Sequence, residues 1–185
     1  SLDMWHWKYV RGGFSEPSQV DDQFLSDNFD PKAGANAGRT SDAGQGGYYV
    51  NVRDMKLADG TTVRVPKYGP KNGSTNEFIL TQAMIDNGTY VELTDVQVMA
   101  LPKGTKLPSQ IGRAFTGSRG DITAKAQWTD GKYTLEIKRK LNTGDKDRDV
   151  QFTDLAKTYY FGIATFDNTQ IKHAVSDLIE LKFRK

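Results

Sequence analysis

Two histidines, four methionines, three tryptophans and several clustered aspartates are the residues of this 185-residue chain whose chemistry reaches beyond folding. His6 stands between Trp5 and Trp7, and His173 follows the segment Phe166-Asp167-Asn168. An imidazole can ligate haem iron or another metal, or move a proton near neutral pH. The two histidines are far apart and make no spacing motif; for each, the alternative is a surface or hydrogen-bonded ring. Met4, Met55, Met84 and Met99 offer thioether sulfur to a haem iron. Met55 and Met84 suit core gaps. Met99 ends an expected strand before a proline-containing loop, a position open to a ligand or to the core. A lysine amine ligates iron only after losing its proton, and no pattern selects one lysine.

Trp5, Trp7 and Trp128 can form a flat platform for a sugar ring or a porphyrin, or can build a core, since each buries a large area. Asp21-Asp22, Asp145/Asp147/Asp149 and Asp167-Asn168 can supply hard oxygen ligands to calcium. Of these, Asp145, Asp147 and Asp149 have the alternation of a calcium loop. They lack the glycine and distal glutamate of an EF-hand, and Lys146 and Arg148 interleave them, so a solvated loop is the alternative. No nucleophile elbow, P-loop, dinucleotide fingerprint or HExxH occurs. The glycine-rich residues 34–47 do not sit between a strand and a helix as a phosphate loop would; they read as a covering loop.

The elements that must position these groups read as strands. Residues 4–10 (MWHWKYV) alternate, with Trp5, Trp7 and Tyr9 on one face and Met4, His6, Lys8 and Val10 on the other. Residues 11–46 look irregular. Residues 48–52 and 61–65 flank an Asp59-Gly60 turn. Residues 76–86 read as a helix capped by Thr75 and stopped by Gly88, and 90–99 as a strand. Ile122, Ala124, Ala126 and Trp128 alternate with polar residues, then Asp130-Gly131 supplies a tight turn, then Tyr133, Leu135 and Ile137 alternate in return. That predicts a hairpin with one buried face. Residues 158–166, apolar on both faces, predict a central strand, and 178–183 the last. Many short strands with little helix argue a mostly β chain, a β-sandwich with one or two short helices and long loops.

Composition bounds the rest. Lys plus Arg number 25 and Asp plus Glu 23, a formal charge of +2, which leaves no electrostatic footprint for nucleic acid. No apolar run approaches the ~20 residues of a membrane span. There is no cysteine, which excludes disulfides, thiolate zinc sites, iron–sulfur ligation and covalent haem attachment within the chain.

Residues 3–8 (DMWHWK), 117–145 (GSRGDITAKAQWTDGKYTLEIKRKLNTGD), 149–152 (DVQF) and 159–174 (YYFGIATFDNTQIKHA), in that order, resemble the ethylbenzene dehydrogenase-related haem-binding domain. That family is related to the small haem b subunit of molybdenum enzymes and also occurs as the C-terminal domain of periplasmic multihaem c-type cytochromes; the chain is more similar to the cytochrome-linked branch. The resemblance implies a β-sandwich like that of family 9 carbohydrate-binding modules. It implies one domain over residues 1–185, short of the strands that members carry before the WHWK-like segment. A methionine and a lysine are the axial haem ligands in the molybdenum-enzyme subunits, and the resemblance does not fix that pair here. His6 and His173 both fall in matched segments, with Met99 and Met4 as thioether alternatives and Trp5 and Trp7 flanking.

The expected function is that of a non-enzymatic, periplasmic or extracellular electron-transfer domain. It would bind or contact haem, b-type or a neighbouring c-type, with calcium as a second cofactor, and dock a redox partner protein or a multihaem cytochrome domain. A homo-oligomer is a further expectation. The alternatives are a carbohydrate-binding module and a cofactor-free docking domain on the same sandwich.

Overall fold

Leu2–His6 (β1) begins the structure, and its alternation ends where the chain must turn. The carbonyl of Lys8 accepts from the N–H groups of Arg11, Gly12 and Gly13 at 3.0–3.1 Å, closing a π-type turn over Tyr9–Gly13. The expected strand through Val10 is therefore shorter. Gly12 is the reason: a Cβ there would lie 2.6 Å from the Gln19 carbonyl oxygen and 2.7 Å from the Phe115 ring, so only glycine allows the approach. The computed structural model describes residues 2–27, 38–72, 79–167 and 172–184.

After the turn come Ser18–Gln19 (β2), Asp21–Leu25 (β3) and Arg39–Ser41 (β4). Strands β1, β3 and β4 form one antiparallel sheet in the order β1-β3-β4. Gly47–Val50 (β5), Val52–Lys56 (β6), Thr62–Pro66 (β7) and Tyr68–Pro70 (β8) follow. The Asp59-Gly60 turn joins β6 to β7, with Val52 opposite Pro66 and Lys56 opposite Thr62. Residues 48–50, expected in that hairpin, instead pair with a later strand. Leu80–Thr81 (β9) leads into the helix Gln82–Asp86 (α1), whose N-cap is Thr81, accepting from Met84 N–H. The expected cap Thr75 lies outside the described residues.

Tyr90–Glu92 (β10) stops early, and Asp95–Met99 (α2) is a helix where a strand was expected. Thr94 and Gln97 form a reciprocal capping box there, Thr94 Oγ1 accepting from Gln97 N–H and Gln97 Oε1 from Thr94 N–H. Two satisfied end groups outweigh the β preference of Val96 and Val98. Gln110–Arg113 (β11) then pairs antiparallel with β5 and parallel with β9.

Thr123–Thr129 (β12) and Lys132–Lys138 (β13) form the expected hairpin, with Asp130 and Gly131 both at positive φ and Trp128 opposite Tyr133. Tyr159–Phe161 (β14), Ala164–Thr165 (β15), Ala174–Val175 (β16) and Ile179–Leu181 (β17) complete the chain, β14 pairing with β17 and β15 with β16. The structure is mostly β, in several small sheets with short helices, as the alternation predicts.

Two apolar clusters hold these sheets. Val20, Ile122 and Ala124 pack with Trp7; Leu80, Tyr90 and Ile111 pack with Tyr49, Tyr68, Met84 and Ile85. Buried Asn51 bridges segments, donating to the carbonyls of Tyr68 and Pro108 and accepting from Tyr68 N–H. Two expectations about burial change. The hairpin face of Trp128, Tyr133, Leu135 and Ile137 is open, with Trp128 60% exposed. Residues 158–166 form two short strands broken at Gly162 with Tyr160, Phe161 and Ile163 exposed, not a central strand. No facing layer covers either surface among the described residues.

Ile111→Ala should therefore cost about 2–5 kcal/mol of stability, the range for a fully buried aliphatic side chain. Leu135→Ala on the open face should cost less than about half as much. Urea denaturation of both variants checks this; equal losses would contradict the open face.

Candidate functional site

The register of β1 on β3 sorts the chemistry onto two faces of one sheet. His6 lies opposite Asp21 and Met4 opposite Gln23, while Trp5 lies opposite Asp22 and Asp3 opposite Phe24. Directly paired residues share a face, and neighbours along a strand do not. Met4, His6, Asp21 and Gln23 thus look one way, joined by Ser41 and Arg39 of β4, which pair with Gln23 and Leu25. Asp3, Trp5, Asp22 and Phe24 look the other way. The expectation that His6 points away from Trp5 holds.

On the first face is a cavity of about 410 Å³, lined by Arg11, Gln23, Arg39, Ser41, Gly46, Gly47, Tyr48 and Arg119. Asp21 fixes its wall. One carboxylate oxygen accepts from Arg119 Nε at 2.5 Å, and the other from Arg11 Nη1 at 2.7 Å, Gln23 Nε2 at 2.8 Å and Arg119 Nη2 at 3.1 Å. This fully donated carboxylate ties the π-type turn, β3 and the turn at Ser118–Gly120 together. Gly46 must be glycine: its φ is +116° and a Cβ would lie 2.5 Å from the Ala114 carbonyl oxygen. Three guanidinium groups line the cavity and the one carboxylate at its wall engages two of them, so the cavity favours an anion. His6, half-buried beside it, has its pKa lowered to about 4. Desolvation is the main cause, followed by the charges of Arg11 and Lys8, with Asp21 opposing and Arg39 adding to the drop. The imidazole is neutral at pH 7, the form that can donate a lone pair to a metal.

On the second face, oxygens of Asp3, Asp22 and Asp149 lie within 4.8 Å of one another. Asp22 is fully buried, and neither carboxylate oxygen accepts a hydrogen bond. Asp42, next along from β4, is also buried with both oxygens unpartnered. Arg139 is the cation set among them, 3.1 Å from Asp3 Oδ2 and from Asp149 Oδ2, and its Nη1 donates to the Val150 carbonyl. Val150 N–H donates to Asp3 Oδ2, and Thr143 Oγ1 donates to Asp149 Oδ2. Burial first, then the neighbouring carboxylates Asp3, Asp149 and Asp42, push Asp22 up to about 9. Burial and Asp149 push Asp42 up to about 7. Asp3 and Asp121 are raised as well, in both cases chiefly by burial.

The remaining expected site residues lie elsewhere. Trp5 carries Arg139 over its ring at 5.2 Å; Trp7 packs on the Val20 cluster, donates to Ser18 Oγ and meets Tyr133 edge-on. The two rings therefore do not share a platform. Met99 ends α2 and is 69% exposed. His173 stacks near Phe166, with ring centroids 4.8 Å apart. Of the three loop aspartates, Asp149 alone joins the acidic face; Asp145 pairs with Arg148 at 2.9 Å and Asp147 is exposed. Sequence reasoning missed Asp3 and Asp42 on the acidic face and Arg11, Arg39 and Arg119 on the other. The Asp21-Asp22 pair was visible; the register that divides it between opposite faces was not.

Residues 1–177 match the family described as Ethylbenzene dehydrogenase. No curated protein and no solved structure matches the chain.

His6 carries a pH signature. Its folded pKa of about 4 lies below the ordinary 6.5, so between those values the unfolded chain binds the extra proton. The His6 contribution to stability is complete above pH 6.5 and is lost as the pH falls toward 4. Denaturant titrations at about pH 7.5 and about pH 5 should show a smaller acid-side loss in His6→Gln than in the native sequence. An identical loss in both would contradict the desolvated imidazole.

Proposed function

This chain belongs to the ethylbenzene dehydrogenase family, and we propose that it is a haem-carrying electron-transfer domain whose haem edge is held on the His6 face. The family's domain is of the haem-binding subunit type, not a catalytic one. The observation that carries the reading is a neutral imidazole on the same sheet face as a cavity walled by three arginines.

The residues fit the polar half of a haem. His6 offers an unprotonated nitrogen to iron, and Met4, two residues earlier on the same face, is the nearest thioether along the strand. Arg11, Arg39 and Arg119 suit the porphyrin's carboxylates, because guanidinium groups pair bidentately with them. Gly46 and Gly47 line the cavity with backbone alone. A bound haem supplies one-electron transfer, and the protein sets its potential through ligand, hydrogen bonding and burial.

The cavity's described walls offer little apolar surface beyond Tyr48, so the porphyrin plane needs cover from a second surface. That surface is a redox subunit or cytochrome domain docked on the chain. The open apolar row of Trp128, Tyr133, Leu135 and Ile137 supports such docking, since an uncovered row of this kind marks an interaction surface. No helix among the described residues is long and apolar enough to cross a membrane.

Haemin titration followed by the Soret band tests this. The chain should give a band, His6→Ala should shift or abolish it, and Arg39→Ala should weaken binding about tenfold, the effect of one lost charge-assisted hydrogen bond. No band, or a band unaltered in both variants, would overturn the assignment.

A further inference from the structure

We propose that Asp3, Asp22 and Asp149, with Asp42 beside them, form a buried binding site for a divalent cation of the calcium type. The site lies on the sheet face opposite His6, so it is separate from the haem reading.

The division of oxygens carries the argument. One oxygen of Asp3 and one of Asp149 are taken by protein donors, Val150 N–H for Asp3 and Thr143 Oγ1 for Asp149, with Arg139 Nη2 3.1 Å from both as an ion pair without a hydrogen bond. The other oxygen of each, and both of Asp22, are buried without a donor. These remaining oxygens point to one missing partner. Asp42, outside that triad but in contact with Asp149, has both oxygens buried without a donor as well. Buried polar groups in folded proteins are paired in the great majority of cases, and six unpartnered oxygens on four neighbouring carboxyl groups are costly. Arg139 pairs with Asp3 and Asp149 and reaches neither Asp22 nor Asp42 as an ion pair.

A cation resolves all of these demands together. Protons go only part of the way: a proton on Asp22 can be donated to a neighbouring carboxylate oxygen, but the second oxygen of Asp22 still has no donor. The donor type selects the ion. Every candidate ligand is an oxygen, which suits a hard cation and not zinc or copper. Oxygens within 4.8 Å of one another fit around an ion with calcium–oxygen bonds of about 2.4 Å. Magnesium demands shorter bonds and a stricter octahedron. The ion would join the start of the chain, β3, the end of β4 and the loop after β13, four segments far apart in sequence.

The test uses the chain stripped with chelator, without haem, so a negative result leaves the haem assignment standing. Calcium chloride is titrated calorimetrically, and thermal unfolding is followed with calcium, magnesium or chelator. The native sequence should bind calcium, and its melting temperature should rise more with calcium than with magnesium. Asp149→Asn should lose the shift, and Asp147→Asn, at an exposed acid of the same loop, should keep it. Asp22→Asn should reverse sign between conditions: in chelator it unfolds at a higher temperature than the native sequence, because an amide needs no proton taken up to stay neutral when buried, yet it gains nothing from calcium. Asp42→Asn, which removes a charge outside the triad, should weaken the calcium response and serves if another variant fails to fold. The absence of any calcium response in the native sequence, or an undiminished response in Asp22→Asn and Asp149→Asn, overturns the site.

Discussion

Strand β3 sets two adjacent carboxylates in opposite electrostatic worlds, and most of the rest depends on that division. Asp21 accepts from two arginines and a glutamine; Asp22, one residue on, accepts from none. The alternation of a strand is the whole cause, since successive side chains leave opposite faces of the sheet. A one-residue slip of β3 against β1 would exchange the two environments, leaving two half-buried arginines without their counter-charge. The β1–β3 register is therefore held by charge as well as by backbone bonding.

Each face gains its chemistry from this partition. On the cationic face, Asp21 organises Arg11 and Arg119 without neutralising them, and Arg39 adds to the surplus. That surplus, with desolvation, keeps His6 unprotonated. A ligating imidazole and an anion-receiving wall thus come from the same charges. On the acidic face, carboxylates from four separate segments converge where one arginine cannot balance them. With a proton as the only remedy, Asp22 would stay un-ionised well past neutrality. A cation removes that need and fastens the loop that follows β13 to the sheet.

The parts of the fold legible in the sequence were those governed by local rules. The β12–β13 hairpin followed from strict alternation around Asp130-Gly131. The helix at Asp95–Met99 carried its signature too, in Thr94 and Gln97, but the valines between them suggested a strand. The acidic loop around Asp145 drew attention by spacing alone, whereas long-range pairing decided which member mattered. Asp3 and Asp42 carry no local mark at all; their role exists only once β1, β3 and β4 are aligned. The family resemblance reached the haem reading from the segments around His6 and residues 117–174, and the match over residues 1–177 bears out the family. The open apolar face of the hairpin could not be foreseen, because alternation says that a face wants cover and not what provides it.

Anomalous diffraction from crystals of the haemin-loaded chain grown in calcium tests the division of labour most directly. The account predicts an iron peak beside His6 on the arginine side of the sheet and a lighter-metal peak among Asp3, Asp22 and Asp149 on the other. Iron bound at Met99 or His173 with the arginine cavity unused, together with no density among the carboxylates, would contradict it.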